Sequence, residues 1–379
     1  MMQAGNRDLI VSIKLSKVLL PLDSPVSDAK VSTGRQQPLQ NVALLFAEIT
    51  SAQGFEGMGF SYALRIGGEG QYAHARELAP LLLGEDPNDI AKTWDKLFWA
   101  GASVGRSGIA VQAMAAFDVA LWDLKAKRAG LPLAKLIGSC RDSVPCYNTS
   151  GGYLQAPIEE VIQKAEGSLE RGISGVKIKV GQPDSRSDFL RVQALRKHLG
   201  DQVPIMVDAN QQWDLPTALQ FGRRVEEFQL TWIEEPLSAY DAEGHARLTA
   251  DLATPIATGE MLSSIHEHRA LIEHKSVDII QPDAPRIGGI TPFLQLADMA
   301  SQAHLGMAPH FVMEIHLHLA ACYPTESWVE HFEWLEPLFN ERLKISDGRM
   351  LVPDSPGLGL TLSEQMREWT TDEITLCSS

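Results

Sequence analysis

The sequence predicts an α/β protein in which a parallel (β/α) barrel is joined to a smaller second domain. From residue 175 to residue 330, short apolar runs of strand character end in a charged side chain roughly every 25 positions. One strand, one helix and two loops occupy about this length. The chain has 379 residues and a barrel takes about 250, so the remainder can form another domain.

The residues at the successive strand ends favour a closed barrel over an open, doubly wound sheet. In chain order they are Lys179, Asp208, Glu234, Glu260, Asp283, His310 and Glu330. A barrel opens all its strand carboxyl ends onto one face, which holds the active site. An open sheet would instead spread the same side chains along an extended edge. We therefore expect these side chains to surround one site.

The first domain is predicted to contain a three-stranded antiparallel meander followed by helices. Residue patterns indicate strands at 10–20, 42–50 and 54–62, with Pro21 ending the first strand. Residues 21–40 are predicted to form a long loop, because prolines and a glycine interrupt them. Helical spacing, with Gly84 and Gly130 as stop signals, predicts helices at 72–83, 90–100, 107–129 and 133–137.

The predicted barrel begins with a strand at 144–148. Its helices fit between the charged strand ends and are predicted at 157–171, 188–199, 215–228, 242–252, 265–274 and 290–304. After residue 330 the sequence becomes turn-rich, and we expect the last segment to pack back against the first domain. The expected division is 1–138 for the first domain, 139–344 for the barrel and 345–379 for the C-terminal segment.

Composition excludes several kinds of partner. The formal net charge is −15 at pH 7, so we expect neither nucleic acid nor an anionic membrane as a partner. The four cysteines form no CxxC pair, which indicates reduced thiols and a cytoplasmic location. Lysines interrupt the apolar run at residues 9–20, so we expect neither a signal peptide nor a membrane span there.

Three of the strand ends carry carboxylates that could hold a metal ion together. Asp208, Glu234 and Glu260 follow three consecutive predicted strands. Oxygen ligands without Cys or His suit Mg²⁺ or Mn²⁺ better than Zn²⁺. Alternatively, any one of these acids could be a helix N-cap or an ion-pair partner. A metal site is the simpler explanation for all three together.

Two further pairs supply candidate acids and bases. Lys177 and Lys179 should point to the same face of one strand, where buried lysines need partners. Lys177 could neutralise a substrate carboxylate, and cationic neighbours would lower the pKa of Lys179 and make it a base. Solvated strand lysines are the alternative. Asp283 beside His310 would fix the imidazole tautomer, and Lys179 and His310 should stand on roughly opposite sides of the ring.

The order of these residues along the chain resembles that of the enolase superfamily, mandelate racemase subgroup. The Lys-x-Lys pair, the Asp/Glu/Glu set, the His–Asp dyad and the last-strand Glu follow in that family's order, and the helix at 118–130 resembles its capping-domain helix. Motifs similar to those of aldarate dehydratases in the subgroup stand at 27–30, 34–36, 59–62, 146–152, 207–214 and 308–311. The resemblance implies a modified TIM barrel, (β/α)7β, with an α+β capping domain formed by the N-terminal region and the C-terminal segment.

The resemblance implies a hydro-lyase with one Mg²⁺ per subunit, which Mn²⁺ can replace. Lys177 and the metal would hold one carboxylate of an aldarate such as L-talarate or galactarate. Lys179 or His310 would remove the α-proton to give an enediolate, and a protonated Glu330 would hydrogen-bond the developing charge. His310 would then assist departure of the β-hydroxyl. The product would be a 2-keto-3-deoxy diacid, with epimerisation as a possible side reaction.

The second carboxylate of an aldarate needs a cation from outside the barrel ring. Lys30 and Arg65 match the family's substrate-contacting region, although either could equally be a solvated surface charge. Leu64 stands before Arg65, where a basic residue is expected, and this predicts weaker binding of the distal carboxylate. The family also implies a homo-oligomer, an octamer. The remaining substrate-binding candidates are Asp28, Asn148 and Asn210, together with Lys177 and Glu330.

Several alternatives stay open at this point. Another acid-sugar dehydratase, or a 2-hydroxyacid racemase or epimerase of the same superfamily, would share the metal set. His316 and His318 imitate the metal motif of amidohydrolase barrels, but that motif should close the first strand, whereas this one is predicted to be helical. A barrel that only binds a ligand is disfavoured by the intact pair of bases.

Overall fold

The computed structural model describes residues 8–378. Residues 1–7, at the start of the expected first domain, and residue 379 lie outside the described residues. The strands are β1 (Ile10–Val26), β2 (Leu39–Ser51), β3 (Glu56–Leu64), β4 (Ser143–Asn148), β5 (Gly175–Lys179), β6 (Ile205–Asp208), β7 (Trp232–Glu234), β8 (Ile256–Thr258), β9 (Ile279–Ile280), β10 (Gly306–Met307), β11 (Val329–His331), β12 (Ile345–Ser346), β13 (Arg349–Leu351) and β14 (Thr370–Cys377). The α-helices are α1 (Ala29–Ser32), α2 (Gly68–Leu78), α3 (Ile90–Ala100), α4 (Ile109–Ala129), α5 (Leu133–Ile137), α6 (Ile158–Glu170), α7 (Ser185–Leu199), α8 (Leu215–Val225), α9 (Ala242–Asp251), α10 (Ile265–Glu273), α11 (Ala284–Ile287), α12 (Ile290–Gln302), α13 (Met313–Cys322) and α14 (Glu364–Glu368).

The first sheet is antiparallel, with strand order β14–β1–β2–β3. The predicted meander of the first three strands is present, and β14 adds a fourth strand. The prediction that Pro21 ends β1 is wrong, because the strand continues to Val26. β1 pairs with β14 only as far as Val18, whereas its pairing with β2 includes Pro21 opposite Asn41. Pro21 therefore lies beyond the end of β14, where its missing N–H interrupts no ladder on that side.

Helix α4 packs closely against β3. A methyl group added at Gly59 would lie 2.3 Å from the Ala116 carbonyl oxygen, and one at Gly57 would lie 2.1 Å from that of Ala120. The two glycines therefore allow a strand and a helix to approach closer than any side chain would permit. The helix ends, as predicted, at Gly130, whose φ of 67° is left-handed.

Replacing Gly59 by Ala should destabilise the first domain. The added methyl group would meet the backbone of α4, which cannot rotate away as a side chain could. Overpacking of this kind costs about 1–3 kcal/mol of unfolding free energy, and denaturant unfolding measures the loss. Gly167→Ala within α6 is the matched control, because nothing lies within 4 Å of a methyl group there. Equal stability of Gly59→Ala and the wild type would contradict the close packing.

In the described part of the chain, the second sheet closes into a barrel of eight parallel strands. β4 to β10 lie side by side in chain order, and β11 pairs with β4 on the other side. A hydrogen bond of 3.1 Å from the Trp328 N–H to the Met307 carbonyl joins the two ends. Helices α6, α7, α8, α9, α10, α12 and α13 connect successive strands. This confirms the predicted (β/α)7β barrel.

After the barrel, the chain first stays beside it and then returns to the first sheet. β13 pairs antiparallel with β4, with Arg349 opposite Pro145. β14 then pairs with β1 and completes the capping domain. The division of the chain at residues 138 and 344 remains a prediction. Among residues 8–378, no helix combines the length and the apolar character needed to cross a membrane.

Candidate active site

The carboxyl ends of the barrel strands bring the predicted carboxylates together. Lys179 ends β5, Asp208 ends β6 and Glu234 ends β7, and each is opposite the next in the strand register. Glu260 follows β8 after Gly259, whose φ of 138° would strain any other residue. One oxygen of each carboxylate lies within 4.8 Å of the others. The parallel strand register and the turn at Gly259 thus bring the three carboxylates together.

The three carboxylates fit a divalent cation. Asp208 and Glu234 are fully buried, and Glu260 is 5% exposed. Burial and, to a smaller extent, repulsion by Asp208 and Glu260 raise the pKa of Glu234 to about 7, although the attraction of Lys177 opposes them. A cation held between them would relieve this repulsion. Oxygen donors alone suit Mg²⁺ or Mn²⁺, so the residues present agree with the metal that the sequence predicts.

The two lysines contact these carboxylates directly. Lys177 Nζ lies 2.5 Å from Glu234 Oε1, and Lys179 Nζ pairs with Asp208 Oδ2. Burial lowers the pKa of Lys179, but the attraction of Asp208, Glu260 and Glu234 outweighs it and raises the pKa. The nearest partner of Lys179 is thus an anion, and the predicted fall of this pKa, which also depends on a bound metal ion, remains a prediction.

Glu330, in β11, lies among donors and cations that favour its ionised form. Burial raises its pKa, but Lys177, His310 and two hydrogen bonds lower it to about 2. The hydrogen bonds come from Thr149 Oγ1 at 2.5 Å and the Phe311 N–H at 2.8 Å, and Lys177 Nζ lies 3.0 Å away. The prediction of a protonated Glu330 is therefore wrong, because cations and donors surround it. Its carboxylate holds the ammonium group of Lys177 in place.

His310 and Asp283 form the predicted dyad. His310 Nδ1 lies 2.9 Å from Asp283 Oδ2, and its Nε2 lies 3.4 Å from Glu260 Oε2. Burial lowers the pKa of His310, but Glu260 and Asp283 raise it by more. These carboxylates stabilise the imidazolium form, which can donate a proton. Tyr62 Oη from β3 lies 2.5 Å from the same Asp283 oxygen, so the capping domain also contacts the dyad.

A cavity of about 240 Å³ lies between the barrel and the capping domain. Lys179, at the end of β5, and His310, three residues after β10, both line this cavity. The volume suits a small molecule rather than a macromolecule. A ligand in this cavity can therefore contact two different proton-transfer groups, the amine of Lys179 and the imidazole of His310.

The capping-domain residues predicted to bind the distal carboxylate lie together on the cavity wall. Asp28 caps α1 by accepting hydrogen bonds from the N–H groups of Lys30 and Val31. Helix α1 and the end of β1 occupy part of the segment predicted as a loop. Arg65 Nη2 lies 3.4 Å from Asp28 Oδ2, and its Nε donates to the Gln37 carbonyl at 2.8 Å. Part of the Arg65 charge is thus already paired.

The two predicted asparagines occupy different places. Asn210 lines the cavity, and its side-chain amide donates to Asp208 Oδ2 at 3.0 Å. Asn148 does not appear among the described residues that line the cavity, and its amide nitrogen lies 3.0 Å from His331 Nδ1. Asn148 is therefore directed towards β11 rather than into the cavity, and its substrate-binding role remains a prediction.

His316 and His318 lie in α13, as predicted, and are buried. His316 Nε2 accepts a hydrogen bond from the Ala284 N–H at 3.0 Å, and His318 Nδ1 accepts one from the Ala134 N–H at 3.3 Å. Burial lowers the pKa of both imidazoles to about 4. The two side chains satisfy backbone groups of neighbouring segments, which removes the amidohydrolase alternative.

The sequence-based prediction missed several residues of the site. Gln281 Nε2 donates to Glu234 Oε2 at 2.7 Å, and its place two residues before Asp283, at the predicted end of one strand, could have revealed a shared face. Arg286 stands three residues after Asp283, in the short helix that Asp283 caps. Tyr62 is 221 positions from Asp283, and no local pattern signals that contact. Other cavity-lining residues without a predicted role are Tyr153, Phe332 and Trp334.

The barrel, its capping domain and this site together define a class of protein. Residues 12–138 match the family described as mandelate racemase / muconate lactonizing enzyme, N-terminal domain. Residues 160–366 match the family described as enolase C-terminal domain-like. The chain belongs to the mandelate racemase / muconate lactonizing enzyme group of the enolase superfamily, which confirms the resemblance drawn from its residues.

Within that group, individual relatives are similar over nearly the whole chain. L-talarate/galactarate dehydratase of Salmonella typhimurium strain LT2 is 62% identical over 367 residues, which are 97% of this chain and 92% of that protein. Its crystal structure with Mg and L-lyxarohydroxamate has a TM-score of 0.98 and 60% identity, and covers 100% of this chain and 97% of that one. L-talarate dehydratase from Polaromonas sp. JS666, complexed with Mg and L-glucarate, has a TM-score of 0.96 and 64% identity over 98% and 100% of the two chains.

Proposed function

We propose that this protein is a Mg²⁺-dependent acid-sugar dehydratase, a hydro-lyase that converts aldarates such as L-talarate or galactarate to 2-keto-3-deoxy diacids. The observation that carries the proposal is a carboxylate triad, Lys179 and the His310–Asp283 dyad, of which Glu260, Lys179 and His310 line one cavity. The 62% identity with L-talarate/galactarate dehydratase supports the substrate class. A racemase or a different acid-sugar dehydratase would use the same residues, but the similarity over the whole chain favours the aldarate reaction.

Binding of the reacting carboxylate involves the buried side of the cavity. Asp208, Glu234 and Glu260 would hold Mg²⁺, which when bound withdraws charge from a substrate carboxylate and makes the adjacent α-proton more acidic. Lys177 donates a hydrogen bond to the same carboxylate, because Glu330 and Glu234 hold its ammonium group there. The negative charge that develops as the α-proton leaves is therefore met by a fixed cation.

Lys179 and His310 carry out the proton transfers. Lys179 takes the α-proton once its ammonium group is deprotonated, and a cation bound by Asp208 would compete with the ion pair that now raises its pKa. His310, in its imidazolium form, gives a proton to the departing β-hydroxyl from Nε2. When the α-proton is returned from the other side, the substrate is epimerised, so a slow epimerisation should accompany dehydration. The choice of base for each epimer depends on substrate stereochemistry.

The assembly of the protein remains a prediction. A homo-oligomer, an octamer by family resemblance, is expected, and light scattering after gel filtration measures it directly. The cytoplasmic location stays an expectation from the cysteine pattern, and all four cysteines, Cys140, Cys146, Cys322 and Cys377, are free thiols.

Removing the metal should abolish dehydration. EDTA takes the divalent cation from the triad, whose oxygen donors favour Mg²⁺, so added Mg²⁺ should restore the rate and Zn²⁺ should restore it poorly. Keto-acid formation measures the rate, and circular dichroism of the chelated protein shows whether the fold is kept. Full activity in folded, metal-free protein would contradict the metal-dependent mechanism.

Changing Lys30 or Arg65 to Ala should reduce activity on aldarates more than activity on monoacids. Both residues line the cavity in the capping domain, away from the triad, where a second carboxylate would need a cation. Lys30→Ala should have the larger effect, because Arg65 is already paired with Asp28. Comparing kcat/KM for an aldarate and an aldonate measures the difference. Arg247→Ala is the control, since this exposed arginine pairs with Asp251 on α9. Equal losses on both substrate types would show that neither cation sets specificity.

A further inference from the structure

The hydroxyl group of Tyr62 brings the capping domain into contact with the dyad. Tyr62 lies in β3 and is 1% exposed. Its Oη lies 2.5 Å from Asp283 Oδ2, 3.1 Å from Arg286 Nε and 3.5 Å from His310 Nδ1. No step of the proposed reaction uses this hydroxyl group. This buried tyrosine thus contacts three charged or titratable side chains.

The direction of each hydrogen bond at Tyr62 is set by its partners. A guanidinium group can only donate, so the Tyr62 oxygen accepts a hydrogen bond from Arg286 Nε. An ionised carboxylate can only accept, so the phenolic proton is directed to Asp283. Burial raises the pKa of Tyr62, which keeps this proton in place. Asp283 Oδ2 thus receives hydrogen bonds from both Tyr62 and His310.

Arg286 and His310 compete for the same carboxylate oxygen. Arg286 Nε lies 3.9 Å from Asp283 Oδ2, which is longer than a hydrogen bond, while His310 Nδ1 lies 2.9 Å from it. The Tyr62 hydroxyl is bonded to both the guanidinium group and the carboxylate. A direct arginine–carboxylate pair is a strong, charge-assisted contact, and without the hydroxyl the carboxylate could rotate towards it. That rotation would take Asp283 away from the imidazole.

We propose that Tyr62 is a positioning residue that keeps Asp283 bonded to His310 by separating Asp283 from Arg286. The inference rests on the acid role proposed above for His310. The orientation of the ring decides whether its Nε2 atom faces the substrate. With Asp283 bonded to Nδ1, the Nε2 atom is directed to the cavity side, 3.4 Å from Glu260. The capping domain then contributes to the geometry of the chemistry as well as to the cavity wall.

The segment that follows α11 is also fixed to the capping domain, which keeps Tyr62 aligned with the dyad. Trp94 Nε1 donates to the Gly288 carbonyl at 2.9 Å. Asp118 accepts from the Thr291 N–H at 2.9 Å, and Trp122 Nε1 donates to Thr291 Oγ1 at 3.0 Å. Three side chains of α3 and α4 therefore hold the chain five to eight residues after the dyad carboxylate.

The Nδ1 proton of His310 reports this geometry directly. We suggest NMR of the Mg²⁺-loaded protein labelled with ¹⁵N-histidine, with His310→Asn identifying the signal. Tyr62→Phe should shift the Nδ1 proton signal or lose it to solvent exchange. Tyr323→Phe is the matched control, because its buried hydroxyl donates to the Leu305 carbonyl at 2.7 Å and should leave the signal unchanged. An unchanged signal in Tyr62→Phe would overturn the inference.

A second substitution tests the competition itself. Arg286→Met in the Tyr62→Phe protein removes the competing cation, so the His310 signal should return towards that of the wild type, and the two changes should be strongly non-additive. Failure of the signal to return would overturn the competition. Tyr62→Phe should also lower kcat for dehydration about tenfold, with a smaller change in KM, as loss of an orienting partner commonly does. A displaced signal with unchanged dehydration would instead contradict the acid role of His310 and leave the positioning role standing.

Discussion

His310→Asn should reduce dehydration by roughly 10²–10⁴-fold, the usual contribution of general acid–base catalysis. Asparagine keeps the approximate shape of the side chain and can still contact Asp283, but it cannot deliver a proton from the Nε2 position beside Glu260. Departure of the β-hydroxyl would then proceed without assistance. Keto-acid formation from an aldarate measures the loss. His198→Asn is the control, because this exposed histidine pairs with Glu166 on the protein surface.

The same variant separates the two proton-transfer groups. Lys179 is untouched in His310→Asn, so a substrate whose α-proton faces Lys179 should still exchange that proton with deuterated solvent. Proton NMR of the recovered substrate detects the exchange while keto-acid formation is followed in the same sample. Dehydration at nearly the wild-type rate without His310 would show that the roles assigned to these residues are wrong.

Lys179→Ala should stop both α-proton exchange and dehydration of substrates whose α-proton faces this side chain. The amine is the base in that case, and its loss should also cost roughly 10²–10⁴-fold. The substitution removes the ion pair with Asp208, so metal binding must be measured in parallel to separate a lost base from a lost cation. Lys197→Ala, on the exposed surface of α7, is the control. Continued exchange on the face assigned to Lys179 would contradict its role as base.

The sequence predicted the parts of the site that depend on the βα period. Asp208, Glu234 and Glu260 were found because parallel strands bring their carboxyl ends together, and the register places Asp208 opposite Glu234. The His310–Asp283 pair was found for the same reason. One helix end followed from a glycine stop at Gly130, whereas α2 runs from Gly68 to Leu78 and does not reach the predicted stop at Gly84. These features are repeated or local, so a single sequence displays them.

The features that the sequence could not predict depend on contacts between distant parts of the chain. Tyr62 meets Asp283 across 221 positions, and Pro21 is tolerated in β1 only because β14 ends before it. The charge states of Lys179 and Glu330 depend on which ion lies nearest, Asp208 in one case and Lys177 in the other. Such distances follow from packing rather than from spacing in the sequence.

The central claim is that this protein dehydrates aldarates with Mg²⁺, and keto-acid formation against a panel of acid sugars tests it most directly. Purified protein would be incubated with aldarates, including L-talarate and galactarate, and with matched aldonates, each with Mg²⁺ or with EDTA. We expect a 2-keto-3-deoxy diacid from L-talarate or galactarate with Mg²⁺, and none with EDTA. Absence of keto acid from every aldarate in folded protein with Mg²⁺, or its formation from aldonates alone, would contradict the account.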